Sequence, residues 1–132
     1  MAEEMGFRAA LGVPFQEAIK KVTAALRSEG FGVLTQIDMR TTFKDKLNAD
    51  FRRFVILGAC SPPLAYRALA ANADTGLLLP CNVTVQEDGD HIAVTAVNPV
   101  AVLGALEDDA TAKAVALEAS EKLQRVINGL KA

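Results

Sequence analysis

The sequence predicts a two-layer α+β domain: an antiparallel sheet with helices on one face. Three observations predict it. Apolar residues recur at helical spacing in two long segments, one near each end of the chain. Around and between them lie strand-like segments, alternating or continuously apolar, in the order β-α-β-β-(α)-β-β-α. After the first helix the strands follow through short or hairpin connections, which favours antiparallel neighbours under one layer of helices. The alternative is a parallel crossover through the helix at Pro62–Asn72, giving a small α/β domain. A length of 132 residues fits one domain, 1–132.

Phe7–Leu11 is a short strand, broken by Gly12, Val13 and Pro14. Pro14 suits the first turn of a helix. Phe15, Ala18, Ile19, Val22, Ala25 and Leu26 make one apolar face, with Gln16, Glu17, Lys20, Lys21 and Arg27 opposite, so an amphipathic helix follows. Gly30 ends it as a left-handed cap. Phe31, Val33, Thr35 and Ile37 alternate with Gly32, Leu34, Gln36 and Asp38 as a strand. Met39–Asp50 is polar, with one helical turn expected around Phe43–Leu47. Arg52–Ala59 is a strand whose run from Phe54 to Leu57 is suited to the core. Ser61 as N-cap and Pro62 at the first helical position start a helix, with Leu64, Ala65, Ala68 and Leu69 as its apolar stripe. Asn72–Gly76 reads as a turn and Leu77–Glu87 as a strand. Asp88, Gly89 and Asp90 then make a hairpin to His91–Val97, because Gly tolerates positive φ. Asn98 and Pro99 stop that strand, and a helical turn follows at Val100–Leu106. Asp108–Leu130 is a long helix, acidic at its start and basic at its end, as the helix dipole favours.

Composition narrows the function classes. The net charge is -2, from 14 Lys+Arg and 16 Asp+Glu, and no basic stripe accompanies it, so no nucleic-acid partner is expected. The densest basic stretch, Arg40, Lys44, Lys46, Arg52 and Arg53, is diluted by Asp45 and Asp50 and reads as a solvated face or a small anion site. Met1–Gly6 lacks the basic and apolar regions of a secretory leader, and no apolar run approaches the ~20 residues of a membrane span. A cytoplasmic protein without a membrane partner is expected, with Cys60 and Cys81 reduced.

Those cysteines form the one constellation with a chemical rationale. Cys60 closes a strand just before the Ser61 cap, and Cys81 opens the next strand. Antiparallel pairing would bring their sulfurs together across 20 intervening residues. The nearby helix N-terminus is expected to favour the Cys60 thiolate and lower its pKa. Both cysteines also read as plain core residues. His91 is the only histidine and sits beside a hairpin, with nothing to place it against a cysteine. Ser61 and Thr41 have no second histidine to activate them. Asp38, at a strand end, could pair with Lys44, accept a ligand, or simply open the polar loop. Gly30, Gly32 and Gly104 match no phosphate or dinucleotide fingerprint, and the sequence leaves any cofactor unknown. No cluster supplies the three or four ligands of a zinc site within one chain, although two cysteines from each of two subunits could. No acid–base pair with a readable spacing points to catalysis, so no catalytic residue is assigned and an enzyme is not favoured.

Several segments together resemble the bacterial and archaeal family named domain of unknown function 302. They are Ile37-Asp38 with Phe43–Leu47, Ile56–Pro62, Ala65 with Ala68-Leu69, and Gly76–Val85. The likeness covers a core of about 7–99, with the helix at 108–130 following. The pattern matches Asp38, Lys44, Cys60, Pro62, Pro80 and Cys81. Ser61 stands where the family usually has Asn, and Asn98 where it often has Asp, which puts in doubt any role specific to those groups. The resemblance implies a fold similar to the TATA-box-binding protein, β-α-β(4)-α, and homodimers; it implies no activity. Apolar residues make up 51%, but alanine inflates that figure, so composition by itself does not require a dimer. The run Leu77–Leu79 offers a face for a partner. Three functions stay open. The first is a dimeric module that binds a small molecule, with Asp38, Lys44, Cys60 and Cys81 at the mouth of a pocket. The second is a thiol redox or metal site at Cys60 and Cys81. The third is an assembly subunit with no site.

Overall fold

A computed structural model describes residues 4–103 and 109–131. Its sheet has five strands: β1 (Gly6–Leu11), β2 (Gly32–Asp38), β3 (Phe54–Cys60), β4 (Cys81–Asp88) and β5 (His91–Val97). They lie in the order β1-β5-β4-β3-β2, and every neighbouring pair is antiparallel. The parallel alternative is therefore excluded. Helices α1 (Phe15–Ser28), α3 (Pro62–Ala71) and α5 (Ala110–Lys131) make one layer, with α5 touching α1, α3 and β1. The short helices α2 (Met39–Leu47) and α4 (Pro99–Leu103) lie in the connections.

The layer follows from the pleat. Val55, Val85, Val94 and Ala9 stand opposite one another across four strands, as do Leu57, Val83 and Ala96 across three. These residues, all buried, meet Val22 and Leu26 of α1 and Leu123, Val126 and Ile127 of α5. Each large aliphatic side chain so buried contributes about 1.5–3 kcal/mol, which makes this interface the main stabilising contact of the fold. The alternate residues, Ile37, Ile56, Thr84, Thr95 and Arg8, form a row across the uncovered face from one sheet edge to the other. There the Arg8 guanidinium donates to Thr95 Oγ1 at 3.3 Å.

The expected punctuation is found, with some corrections. Gly30 takes φ +84 after α1, and the Gly30 and Phe31 N–H groups reach back to Arg27 O (3.0 Å) and Leu26 O (2.9 Å). Gly89, at φ +62, turns the β4–β5 hairpin between Asp88 and His91. The single turn expected at Phe43–Leu47 is a full helix from Met39, because Asp38 accepts from Thr41 N (3.0 Å) and caps it. The strand expected from Leu77 begins only at Cys81. Ala73–Leu78 forms a 3-10 turn, started by Asn72 accepting from Asp74 N at 2.9 Å. Ser61 stands at the N-cap of α3 but its side chain makes no capping bond. Pro62 and Pro63, the first two helical residues, have no N–H to offer it. The last part of the turn expected at Val100–Leu106 and the start of the Asp108–Leu130 helix lie outside the described residues.

Candidate functional site

Antiparallel pairing places Ala59 of β3 directly across from Cys81 of β4, so Cys60 and Cys81 are one residue out of register at the same end of the sheet. Both are free and partly buried, and both line a chamber of about 30 Å³. Ser61 and Thr75 are among its lining residues, and Leu64, Leu79, Leu103 and Val115 make it apolar. Leu79, Pro80, Cys81, Pro99 and Leu103 also line an adjoining vestibule of about 250 Å³, beside Leu77, Leu78 and Val102. A chamber of 30 Å³ has room for about one water-sized group, so any larger ligand must occupy the vestibule.

The electrostatics overturn one expectation. Burial pushes the Cys60 thiol up rather than down. Burial pushes Cys81 up to about 11, and the neighbouring Cys60 adds to that shift. An apolar wall disfavours a thiolate, and the two prolines opening α3 remove donors that would have favoured it. Both thiols are therefore neutral near pH 7 and poor nucleophiles. The Thr75 hydroxyl is the one fully buried side-chain oxygen without a hydrogen-bond partner among the described residues. Thr75 is 0% exposed. Such a group costs about 1–3 kcal/mol unless something in the chamber bonds to it.

Asp38 and Lys44 lie elsewhere. Asp38 is opposite Val55 and Cys60 is opposite Gly32, so the two pairs of residues sit at opposite ends of β2 and β3, separated by roughly 17 Å of strand. One pocket with all four at its mouth is not what the fold builds. Asp38 is occupied as the cap of α2, and Lys44 turns to Asp50 Oδ1 at 3.5 Å rather than to Asp38. They share a cleft of about 480 Å³ with Arg40, Arg53, Gln36 and Phe15. His91 is held by Asp88 (3.4 Å) and Asp90 (3.3 Å) at the hairpin, the length of β4 away from Cys81. A wider groove of about 790 Å³ beside it carries Arg8, Arg52 and Lys131 together with Glu87 and Asp88.

Sequence reasoning missed Thr75, which was hidden in an apparent turn until the 3-10 geometry buried it. It also left Asn98 as a strand stop. That residue is buried and bonded through both side-chain atoms: Nδ2 donates to Glu4 O (3.0 Å), while Oδ1 accepts from Val100 N (3.1 Å) and Ser120 Oγ (3.2 Å). An aspartate there could not make the first bond.

The fold and this end of the sheet define a small α+β protein with an apolar chamber, lined in part by two cysteines, at the junction of β3, β4, α3 and α5. The chain belongs to the family described as domain of unknown function DUF302, whose model matches residues 7–130. Among solved structures it is similar to the "uncharacterized conserved protein DUF302 from Bacillus stearothermophilus", with a TM-score of 0.86 at 26% identity, covering 96% of this chain and 98% of that one. No curated protein matches it. No helix among the described residues is long and apolar enough to cross a membrane.

Proposed function

We propose that this protein is a dimeric small-ligand-binding module whose ligand occupies the chamber and vestibule at the Cys60 and Cys81 end of the sheet. One observation carries the reading: Thr75 lines the chamber, and its hydroxyl is buried with no partner. Buried polar groups are nearly always hydrogen-bonded, so an orphan beside a cavity marks a place for a ligand atom. The vestibule supports it with apolar walls and room for a small molecule. Two free cysteines support a cytoplasmic setting, where thiols stay reduced. Asp38 and Lys44 belong in this reading to a second, polar cleft and not to the ligand's mouth.

Support for the dimer comes from the uncovered sheet face. Ile37 is 46% exposed and Leu34 on the same edge strand is 66% exposed, and β2 has an unpaired edge. A second copy would cover that surface.

Native mass spectrometry of gently purified protein tests the ligand. A non-covalent adduct lost in Thr75→Val is the expected result. A clean apo mass across independent preparations would remove the reading and leave an assembly subunit without a site. In that case Cys60→Ala and Cys81→Ala would change stability alone, by roughly 1–3 kcal/mol.

A further inference from the structure

We propose that the uncovered face of the sheet holds a small organic dicarboxylate in the groove over β1, β5 and β4. The site is separate from the chamber, and from Leu34 and Ile37, which stand on β2 at the other edge of the sheet. Register sets its floor. Ala10, Ala93 and Gln86 stand across from one another on the three strands, and Arg8, Thr95 and Thr84 make the next row on the same face. Two of the floor residues are alanines, whose methyl groups leave room above them, and the groove measures about 790 Å³.

Two guanidinium groups border this floor. That of Arg52 lies over the Phe51 ring, 4.4 Å from its centroid, and 5.6 Å from the Phe54 centroid. Its Nε donates to Gln86 Oε1 at 2.9 Å. Stacking and that bond hold the group in place, and the terminal N–H fork is left for another acceptor. Arg8 is tied through Nη1 to Thr95 Oγ1. The two anchors, Gln86 and Thr95, are one strand and two residues apart, roughly 8 Å by strand geometry. The nearby carboxylates are engaged elsewhere: Glu87 Oε1 accepts from Arg53 N at 3.0 Å, and Asp88 Oδ2 lies 3.4 Å from His91 Nε2. Among the described residues neither Arg8 nor Arg52 ion-pairs with a carboxylate. Lys131 adds a third cation to the lining. Charge, apolar floor and charge in sequence match a dicarboxylate: each end meets a guanidinium fork, and the methylene stem lies on alanine. A continuous polyanion is a poor fit, because Glu87 and Asp88 line the same groove and the chain carries a net charge of -2.

The test is a titration of the full chain with succinate, glutarate and adipate at constant ionic strength, followed by amide NMR spectra. Saturable shifts confined to β1, β5 and β4 are expected, strongest for one chain length. Valerate, which has a single carboxylate, and inorganic phosphate should each bind roughly 10-fold more weakly than the best diacid. That comparison needs no variant. Arg8→Gln and Arg52→Gln should each weaken the best diacid roughly 10-fold. Both side chains are exposed, so the same spectra should show the fold intact. Lys20→Gln removes the same charge from α1, in the helix layer, and should change nothing. No saturable shift with any diacid, equal binding of valerate or phosphate, or an equal loss in Lys20→Gln overturns the proposal. The chamber is tested apart from this, since its ligand is read by native mass spectrometry.

Discussion

Single side chains decide what the ends of this sheet can do. Cys81 is the clearest case. Its folded-state pKa, about 11, lies above the ordinary 9.0, so the fold holds the neutral thiol in preference to the thiolate. Stability from this source is intact below pH 9.0. It is lost as pH rises toward 11, because across that interval the unfolded chain has released a proton that the native chain still holds. The loss should approach about 3 kcal/mol, and urea unfolding on either side of that window measures it. Cys81→Ser should flatten the added slope. Thr75 has the opposite character. Replacing an unpartnered buried hydroxyl with a methyl, in Thr75→Val, should leave the apo protein as stable or stabilise it by about 1 kcal/mol while weakening whatever the chamber binds. Asn98 has no such freedom. Asn98→Asp removes the donor to Glu4 O and buries a charge, so thermal unfolding should show a loss of roughly 1–3 kcal/mol.

Elements with an apolar period were legible in the sequence because their burial is written into their spacing. Thus α1 ends just before the left-handed Gly30, and α5 buries Val115, Leu123 and Ile127 on the predicted face. The segments that carry the candidate site were less legible. Helix α2 buries no residue, so no apolar stripe announces it, and its start is fixed by one carboxylate–amide bond at Asp38. The run Leu77–Leu79 has the composition of a strand but ends a 3-10 turn, leaving Leu77 82% exposed. Pairing decided which cysteine meets which neighbour, and pairing is a long-range property that no local pattern encodes. Gly58 shows how tightly that pairing is set. A Cβ there would strike Thr35 Oγ1 of β2 and approach Pro80 Cγ to 2.9 Å. Gly58→Ala should therefore cost roughly 1–3 kcal/mol in chemical denaturation and loosen the edge strand together with the approach to the chamber.

At the scale of the molecule, one face of the sheet is the core and the other is unclaimed. On the open face the row starts with Ile37 and Ile56 at the β2 edge and turns polar through Thr84 and Thr95 to Arg8. If a second copy covers it, Ile37→Lys should shift sedimentation from dimer to monomer. The monomer's own stability should change by no more than about 0.5 kcal/mol, since Ile37 is already 46% exposed. A dimer that survives the lysine would place the interface elsewhere, with the exposed leucine beside the vestibule next in line. The two clefts at opposite ends of β3 also mean that a ligand at the thiols and an anion near Lys44 would occupy separate places, and mutations at one end should leave the other end's binding unchanged.

The position of β1 bears on how the chain is made. Among the described strands its neighbour is β5, with Gly6 across from Val97, so β1 finds its partner only once the last strand of the sheet has been made. Until then its hydrogen-bonding edge is unpaired, and α1 has no finished sheet beneath it. The β4–β5 hairpin, closed by the turn at Gly89, can form at once when it emerges and offers β1 a ready edge. Nascent chains stalled before residue 97 should therefore be protease-sensitive along their whole length, and protection should arise in one late step rather than strand by strand.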